Sequence, residues 1–352
     1  MHHLARSFSF TVLVAAGATA ALPRTSRADT ATGAQICSLG SADVGQPGTL
    51  ICKNVATGAL TQSIPLGATV AAAGGIGASL IARGDRVLVT NQAGGAVLLK
   101  DTDGYLRSPV VLQTDGEGSL SGALSADGAY VLTGTTLRFF PNGQSVASSS
   151  AKLLLADGSA AEVTLTEHDA YVSEKNGSLE AFALGRGGRI TGRATAVAGI
   201  SPGVIVGIAG FDDGVVAPIA HLASNPGQAE ISVARGFNQI QRVPTKEVAA
   251  CWTATDDDEA CVANPGSMTV SCGRRGPGGF ESYTSAAASL VGESVFDLDM
   301  WQGLVGFQGV HDGAPVLLTY RRTPGDFLAF VSEFPVGTAK AAGALLLPPL
   351  SR

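Results

Sequence analysis

The chain has 352 residues, 46 of them glycine, and a formal net charge of −6. Residues 1–28 hold three arginines and no acid, so the charge of the chain without them is −9. A chain this acidic, with no extended run of Lys and Arg, is not expected to bind nucleic acid.

The first 28 residues have the order of a secretory signal peptide. Arg6 precedes an apolar run from Phe8 to Leu22, and small residues follow it. This run is too short for the ~20 residues that a spanning helix needs. We expect cleavage after Ala28, or alternatively after Ala20, and export of residues 29–352 as one domain without a membrane span. An uncleaved membrane anchor is the alternative.

The five cysteines are expected to pair where geometry allows, because an exported protein meets an oxidising compartment. Cys37 and Cys52 lie in two strand-like runs separated by Gly and Pro, which predicts a cross-strand disulfide. Cys251, Cys261 and Cys272 share one repeat, so we expect two of them to pair and one to stay free. A metal site is not favoured, because there is no C-x-x-C spacing and no nearby His.

A sequence repeat made of an apolar run, a polar turn and a second, β-branched run occurs six times. The copies begin at Gly77, Gly122, Ala161, Val204, Ala249 and Val295. Starts about 40–47 residues apart match the period of a β-propeller blade. In the clearest copy we expect four strands, from the innermost outward, at 78–82, 86–90, 96–99 and 109–113.

Both ends of the chain are expected to complete the propeller. The stretch 35–60 would supply outer strands and 342–347 one further strand of the same blade, which closes the ring and removes exposed sheet edges. The predicted fold is therefore all-β, a seven-bladed β-propeller of four-stranded antiparallel blades. No helix longer than a turn is expected, and the small-residue stretches 145–150 and 284–288 are predicted to be loops.

Two motifs resemble those of a known family. AACWTATDDDEACVANPGSMTVSC, which begins at Ala249, and AYVSEKNGSLEAFALGRGGRIT, which begins at Ala170, are similar to blades of the lactonase-type (YVTN-type) seven-bladed propellers. That family includes 6-phosphogluconolactonase-like and carboxymuconate cyclase-like proteins. The resemblance covers roughly residues 77–333 and implies hydrolysis or formation of a lactone in the central channel.

The resemblance implies two catalytic residues. Glu162, in Ala-Glu-Val, stands where the muconate-type enzymes have Ala-Glu-Ile with a catalytic-type Glu. Lys175 stands where they have Arg, and keeps the positive charge without the planar guanidinium. The family's Gly-Pro-Arg-His is replaced by Gly-Ser-Leu-Ser at 118–121, and its Pro-His by Gly-Ile at 75–76, so an Arg and two His are lost. The structural alternative is an ion pair of Lys175 with Glu174 or Glu162.

The remaining titratable residues give weaker candidates. His168 lies in a turn that we expect to be solvated, and His221 and His311 lie at strand ends or loops near a channel mouth. The acidic run 256–259 has no EF-hand spacing, so a solvated turn is favoured over a Ca²⁺ site. The G-x-S-x-G, H-E-x-x-H, P-loop and dinucleotide motifs are absent.

These patterns leave two functions open. The first is an exported enzyme that acts on a lactone or related small carboxylate in the channel, with Glu162 and Lys175 as its catalytic residues. The alternative is a propeller that has lost catalysis and binds a small molecule or an envelope protein. We expect a monomer and no cofactor or metal in either case.

Overall fold

The structure is a computed structural model, and it describes residues 33–43, 46–71, 78–91, 94–102, 105–155, 157–197, 203–212, 214–220, 230–235, 239–276 and 279–350. The predicted signal peptide, residues 1–28, and His221 lie outside these ranges. Within them, no helix is both long and apolar enough to cross a membrane.

The described chain is almost entirely β-structure, with a single 3₁₀ turn at Arg186–Gly188. Three strands precede the first repeat: β1 (Gln35–Ser41), β2 (Pro47–Asn54) and β3 (Leu60–Ala71). The first two repeats give β4 (Ala78–Arg83), β5 (Arg86–Asn91), β6 (Ala96–Thr102), β7 (Tyr105–Leu112), β8 (Ser119–Leu124), β9 (Gly128–Thr133), β10 (Thr136–Pro141) and β11 (Ser149–Lys152).

The next two repeats give β12 (Ala160–Leu165), β13 (Asp169–Glu174), β14 (Leu179–Leu184), β15 (Ile190–Ala196), β16 (Ala209–Phe211), β17 (Gly214–Ile219), β18 (Glu230–Arg235) and β19 (Gln239–Pro244). The last two give β20 (Trp252–Asp256), β21 (Glu259–Asn264), β22 (Thr269–Gly276), β23 (Gly279–Ser289), β24 (Ser294–Trp301), β25 (Leu304–His311), β26 (Ala314–Arg322) and β27 (Leu328–Pro335). A final strand, β28 (Lys340–Leu347), ends the described chain.

The strands form four-stranded antiparallel sheets, which confirms the predicted propeller of such blades. Six blades are continuous segments of chain: blade 1 is β4–β7, blade 2 β8–β11, blade 3 β12–β15, blade 4 β16–β19, blade 5 β20–β23 and blade 6 β24–β27. One further sheet, the shared blade, has the order β28-β1-β2-β3 and joins the two ends of the described chain.

The innermost strands meet in a closed ring around an axis. In order, β4 contacts β8, β8 contacts β12, β12 contacts β16, β16 contacts β20, β20 contacts β24, β24 contacts β28, and β28 contacts β4. The N-terminal strands are therefore the outer strands of the shared blade, as predicted, and β28 is its innermost strand. The ring leaves no open end at which a sheet face would be exposed.

The hydrophobic core lies between neighbouring blades. One apolar cluster joins blades 2 and 3 through Tyr130, Phe139 and Phe182, and another joins blades 5 and 6 through Phe307 and Tyr320. The second strands β9 and β21 are buried at every residue because a blade covers each of their faces. This burial explains why their sequences lack the alternation of a half-exposed strand.

The cysteines follow the predicted pattern. Cys37 and Cys52 are paired partners on β1 and β2 and form a disulfide. Cys261 and Cys272 form a second disulfide across β21 and β22, and Cys251 is a free, buried thiol. Two disulfides indicate an oxidising compartment.

The outer strands differ from the sequence-based expectation. The edge of blade 1 is β7, which begins four residues before the predicted 109–113. Two stretches predicted to be loops lie partly or wholly in strands, since β11 begins at Ser149 and β23 includes 284–288. Edge strands are held by the backbone ladder to one neighbour, so small polar side chains suffice there and the sequence carries no apolar signal.

Candidate functional site

The innermost strands enclose an axial tunnel with a cavity of about 580 Å³. Its wall combines Leu, Ile, Ala and Met side chains of β4, β8, β16 and β24 with Thr and charged side chains, and the surface that faces the cavity is mainly polar. The charged residues that line it are Arg83, Glu162, Asp257, Asp297 and Asp299. The tunnel is thus a largely polar passage whose wall is rich in carboxyls.

Glu162, a predicted catalytic residue, lies on innermost strand β12 and lines this tunnel. Its Oε2 atom accepts a hydrogen bond of 2.9 Å from the backbone N–H of Ile208, just before β16 in the next blade. Its Oε1 atom has no hydrogen-bond partner among the described residues. Burial raises the pKa of Glu162 well above its usual range, the charge of Asp297 raises it further, and the Ile208 N–H opposes the shift.

A glycine makes room for this contact between blades. A Cβ atom at Gly207 would stand 3.0 Å from Oε2 of Glu162 and 2.8 Å from the Cα atom of Trp252. Such distances are shorter than ordinary van der Waals contacts, so a larger residue at 207 would displace the carboxyl or the backbone. The chain between blades 3 and 4 can therefore approach Glu162 closely.

Two further carboxyls line the tunnel from blade 6. Asp297 and Asp299 are alternate residues of β24, so both side chains leave the same face of the strand. The Asp297 Oδ2 atom accepts a hydrogen bond of 3.2 Å from the Ala344 N–H, and the Asp299 Oδ2 atom one of 2.7 Å from the Leu346 N–H. Burial raises the pKa of each carboxyl to about 7.

The carboxyls of Glu162, Asp297 and Asp299 share one structural role. Each lies on an innermost strand and accepts a backbone N–H from the next blade around the ring. The hydrogen bonds fix the side chains in the tunnel wall and leave little freedom to turn away. Burial makes the three carboxyls hold protons more tightly than carboxyls in water, and the N–H hydrogen bonds partly oppose this shift.

A wider cavity of about 1370 Å³ lies at one mouth of the tunnel. It is lined by the turns between first and second strands, and Arg83 and Asp257 belong to the walls of both cavities. Arg275 lies over the ring of Phe211 here, with 4.8 Å between the guanidinium carbon and the ring centre. A ligand that enters the tunnel from this side first passes a mouth that carries both signs of charge.

Lys175, the second predicted catalytic residue, is placed away from this cavity. It follows β13 in the turn to β14 and does not line either cavity. Its backbone N–H donates to the Ser159 carbonyl over 2.7 Å. Its charge acts on the neighbouring Glu174, whose pKa burial nevertheless raises to about 7. The structure therefore does not bring Lys175 to the cavity that Glu162 lines.

The histidine candidates are dispersed. His168 is exposed in its turn at the mouth cavity, 3.8 Å from Glu167. His311 lies at the end of β25, where its Nδ1 atom is 2.6 Å from the Glu333 carboxyl, and lines neither cavity. No His lines the tunnel cavity in the described part of the chain.

The acidic run 256–259 is a solvated turn at its two central residues, as expected, because Asp257 and Asp258 are exposed, but not at its two ends. Glu259 is buried and forms ion pairs with Arg274 and with Arg322. Asp256 accepts a hydrogen bond of 3.2 Å from the Gly303 N–H. Their carboxyls are thus engaged by blade 6 and by β22, and the described residues contain no group of three or more His, Cys, Asp or Glu placed to hold a metal ion.

Asp297, Asp299 and Arg83 are tunnel residues that the sequence-based reasoning missed. The signal for the two acids was present, because VFDLDM opens the last repeat and places acids at alternate positions of an innermost strand. Arg83 has no comparable signal, since its role depends on the neighbouring blade: its Nη1 atom donates to the Leu124 carbonyl over 3.2 Å.

Comparisons with known proteins give the fold and not the family. No protein-family profile matches the chain, and no curated protein matches it. A candidate 6-phosphogluconolactonase from Bacteroides fragilis is similar in structure, with a TM-score of 0.62 and 14% identity over 90% of this chain and 98% of that chain. The shared feature is a β-propeller.

Two more solved structures show the same likeness. A candidate 6-phosphogluconolactonase from Bacteroides uniformis has a TM-score of 0.59 and 13% identity over 90% of this chain and 99% of that chain. A chain of a nidogen–laminin complex has a TM-score of 0.51 and 8% identity over 89% of this chain and 98% of that chain. Because one fold serves unrelated functions, identities this low carry no chemistry from those proteins.

Proposed function

We propose that this chain is an exported hydrolase that opens a lactone ring in its axial tunnel, with Glu162 as the general base. The observation that carries the proposal is the placement of Glu162 in the tunnel wall, with Oε2 held by Ile208 and Oε1 without a partner among the described residues. A carboxylate whose pKa is raised is a stronger base near neutral pH than a solvated one.

The reaction uses one water and leaves Glu162 unchanged. The ionised carboxyl takes a proton from water as the water oxygen bonds to the lactone carbonyl carbon. The ring C–O bond of the tetrahedral intermediate then breaks, and the departing ring oxygen receives that proton from Glu162. The product is the open hydroxy acid. Because the cavity is open toward its mouth and its exposed surface is mainly polar, the water that the reaction consumes can reach Glu162 from solvent.

Lys175 has a secondary role in the proposal, which is to attract the substrate. It lies at the end of blade 3 where β13 ends, so a role for it would be to attract substrate toward that end of the tunnel. We therefore expect Lys175→Gln to raise KM and to leave kcat almost unchanged. Since Lys175 does not line the tunnel cavity, a large fall in kcat would show that it reaches the reacting atoms in the bound state.

The experiment is a proton-release assay of residues 29–352 on a panel of sugar and aromatic lactones. Glu162→Gln keeps the size of the side chain and an acceptor oxygen but removes the base, so we expect kcat to fall by about 10²–10⁴-fold. Glu117→Gln makes the same chemical change at a residue that lines neither cavity, and should leave kcat unchanged. Wild-type rates no higher than those of Glu162→Gln would refute the proposal.

A second function is favoured by a specific observation. Of the described residues that line the tunnel, none is His or Lys, and Glu162, Asp297 and Asp299 all bind backbone N–H groups of a neighbouring blade. This arrangement also suits a binding module in the cell envelope whose tunnel carboxyls are structural. A thermal-shift ligand screen together with capture from envelope extract tests it, and turnover of any lactone that depends on Glu162 would displace it.

A further inference from the structure

The tunnel has an excess of negative charge. Glu162, Asp297 and Asp299 face it from blades 3 and 6, and Asp257 lies where the tunnel meets the mouth cavity. Arg83 is the one cation among the described lining residues, and a backbone carbonyl already occupies its Nη1 atom. The rest of the lining is apolar or uncharged.

Charges in such a passage act strongly on a ligand. A concave site lined by charges of one sign focuses their field, so these charges act on a ligand more strongly than scattered charges on a convex surface. An anion would therefore be repelled to the extent that these carboxyls are ionised. Because backbone N–H groups of Ala344 and Leu346 hold Asp297 and Asp299 in place, these carboxyls cannot swing away to relieve it.

We infer that the tunnel selects substrate by charge and takes a lactone without a phosphate or carboxylate group, with Asp297 and Asp299 as its specificity-determining residues. This inference rests on the proposed function and names the class of its substrate. It also explains release of product, because opening an uncharged lactone creates a carboxylate that the same wall repels.

The charge of the wall depends on pH. The pKa of Asp297 and of Asp299 is about 7 because burial disfavours their ionised forms. The charged groups around them are Glu162 on β12, Asp256 on β20, Asp257 in the turn after β20 and Arg83 on β4. Selection against anions should therefore strengthen from about pH 6 to about pH 8 as the two carboxyls ionise.

The test uses two unreactive probes, so that binding is measured apart from turnover. They are a six-membered lactam that carries a carboxamide and the same lactam with a carboxylate in its place. By titration calorimetry we expect the carboxylate probe to bind about tenfold more weakly than the carboxamide probe, or more weakly still, at about pH 8. The ratio of their two dissociation constants should be smaller at about pH 6.

Two variants identify the residues responsible. The double variant Asp297→Asn, Asp299→Asn keeps both acceptor oxygens and removes both charges. We therefore expect the ratio of the dissociation constants of the two probes to approach one. Asp115→Asn, at an exposed residue outside both cavities, should leave it unchanged. If the double variant fails to fold, the single variant Asp299→Asn should reduce the ratio partially.

The outcomes separate the two proposals. Equal binding of both probes, tighter binding of the carboxylate, or no binding of either overturns charge selection. Equal turnover of phosphorylated and unphosphorylated sugar lactones also overturns it, yet leaves Glu162 as the base. Selective binding of the carboxamide without turnover of any lactone keeps charge selection and removes the proposed hydrolysis.

Discussion

The carboxyl of Glu162 accepts a hydrogen bond of 2.9 Å from the backbone N–H of Ile208, so one side chain serves both as tunnel wall and as a link between blades 3 and 4. The position of Glu162 therefore bears on stability as well as on chemistry. Substitutions that separate these two roles are the most informative.

Glu162→Ala should lower the free energy of unfolding by about 1–2 kcal/mol, because the Ile208 N–H loses its partner. Glu162→Gln should change it by less than about 0.5 kcal/mol, because an acceptor oxygen remains at the same place. Urea denaturation near neutral pH measures both. Equal stabilities of the Ala and Gln variants would show that the inter-blade hydrogen bond contributes nothing.

Glu174 should make the protein less stable as pH rises. It is fully buried, Ser159 donates to its Oε2 atom over 2.7 Å, and its Oε1 atom has no partner in the described chain. Burial raises its pKa to about 7, above the value of the unfolded chain. The folded state then holds a proton that the unfolded state has released, so the stabilisation is complete below about pH 4 and is lost up to about pH 7.

With allowance for screening, Glu174 should account for a fall of about 2–3 kcal/mol in unfolding free energy across that window. Glu174→Gln removes this contribution, so its curve of stability against pH should be flatter than that of the wild type. Glu117→Gln is the matched control, since that side chain is exposed. Parallel curves for Glu174→Gln and the wild type would contradict a raised pKa.

The buried ion pair of Glu259 with Arg322 should be sensitive to loss of one partner. Both side chains are at least nine-tenths buried, and the pair joins blade 5 to blade 6. Glu259→Gln should cost about 2 kcal/mol, because the buried Arg322 charge loses one of its two counter-charges and keeps Asp326. Arg274 binds the same carboxylate from a half-exposed position, so Arg274→Ala should cost less than about 1 kcal/mol. Similar losses in both variants by urea denaturation would contradict this ranking.

Cys251 should be inert in the folded protein. Its thiol is buried, and burial raises its pKa to about 11, so little reactive thiolate forms near neutral pH. We expect iodoacetamide to label one site per chain in denaturant without reductant and none in native buffer, as measured by intact mass. Rapid native labelling of Cys251 would show that the interface between blades 4 and 5 opens readily.

Repeats made most of the fold predictable. Each innermost and second strand carries its own apolar run and turn, so the period alone placed β4, β5 and β6 to within a few residues. The pairing of Cys37 with Cys52 followed from two adjacent runs that a short turn connects. The edge strands β11 and β23 escaped prediction, because their hydrogen bonds come from a neighbouring strand and demand little of their side chains.

The candidate site was predictable only in part. Glu162 could be placed on an innermost strand because it opens a repeat, and the structure puts it in the tunnel wall. Lys175 is close to it in sequence, yet antiparallel pairing places Lys175 at the end of blade 3 beside Glu174, outside the cavity. Asp297 lies 135 residues from Glu162 in the sequence, and its influence on the Glu162 pKa appears only when the ring closes.

The periodic pattern of apolar runs and turns determined the architecture, because six blades obtain all four strands from one continuous stretch of sequence. What surrounds the axis was decided by closure, since a tunnel wall takes one strand from each blade and no local stretch encodes its neighbours. Closure of the ring places the three carboxyls around a common cavity and lets each accept a hydrogen bond from the following blade. The proton affinities of these groups depend on burial, and burial arises only in the assembled ring.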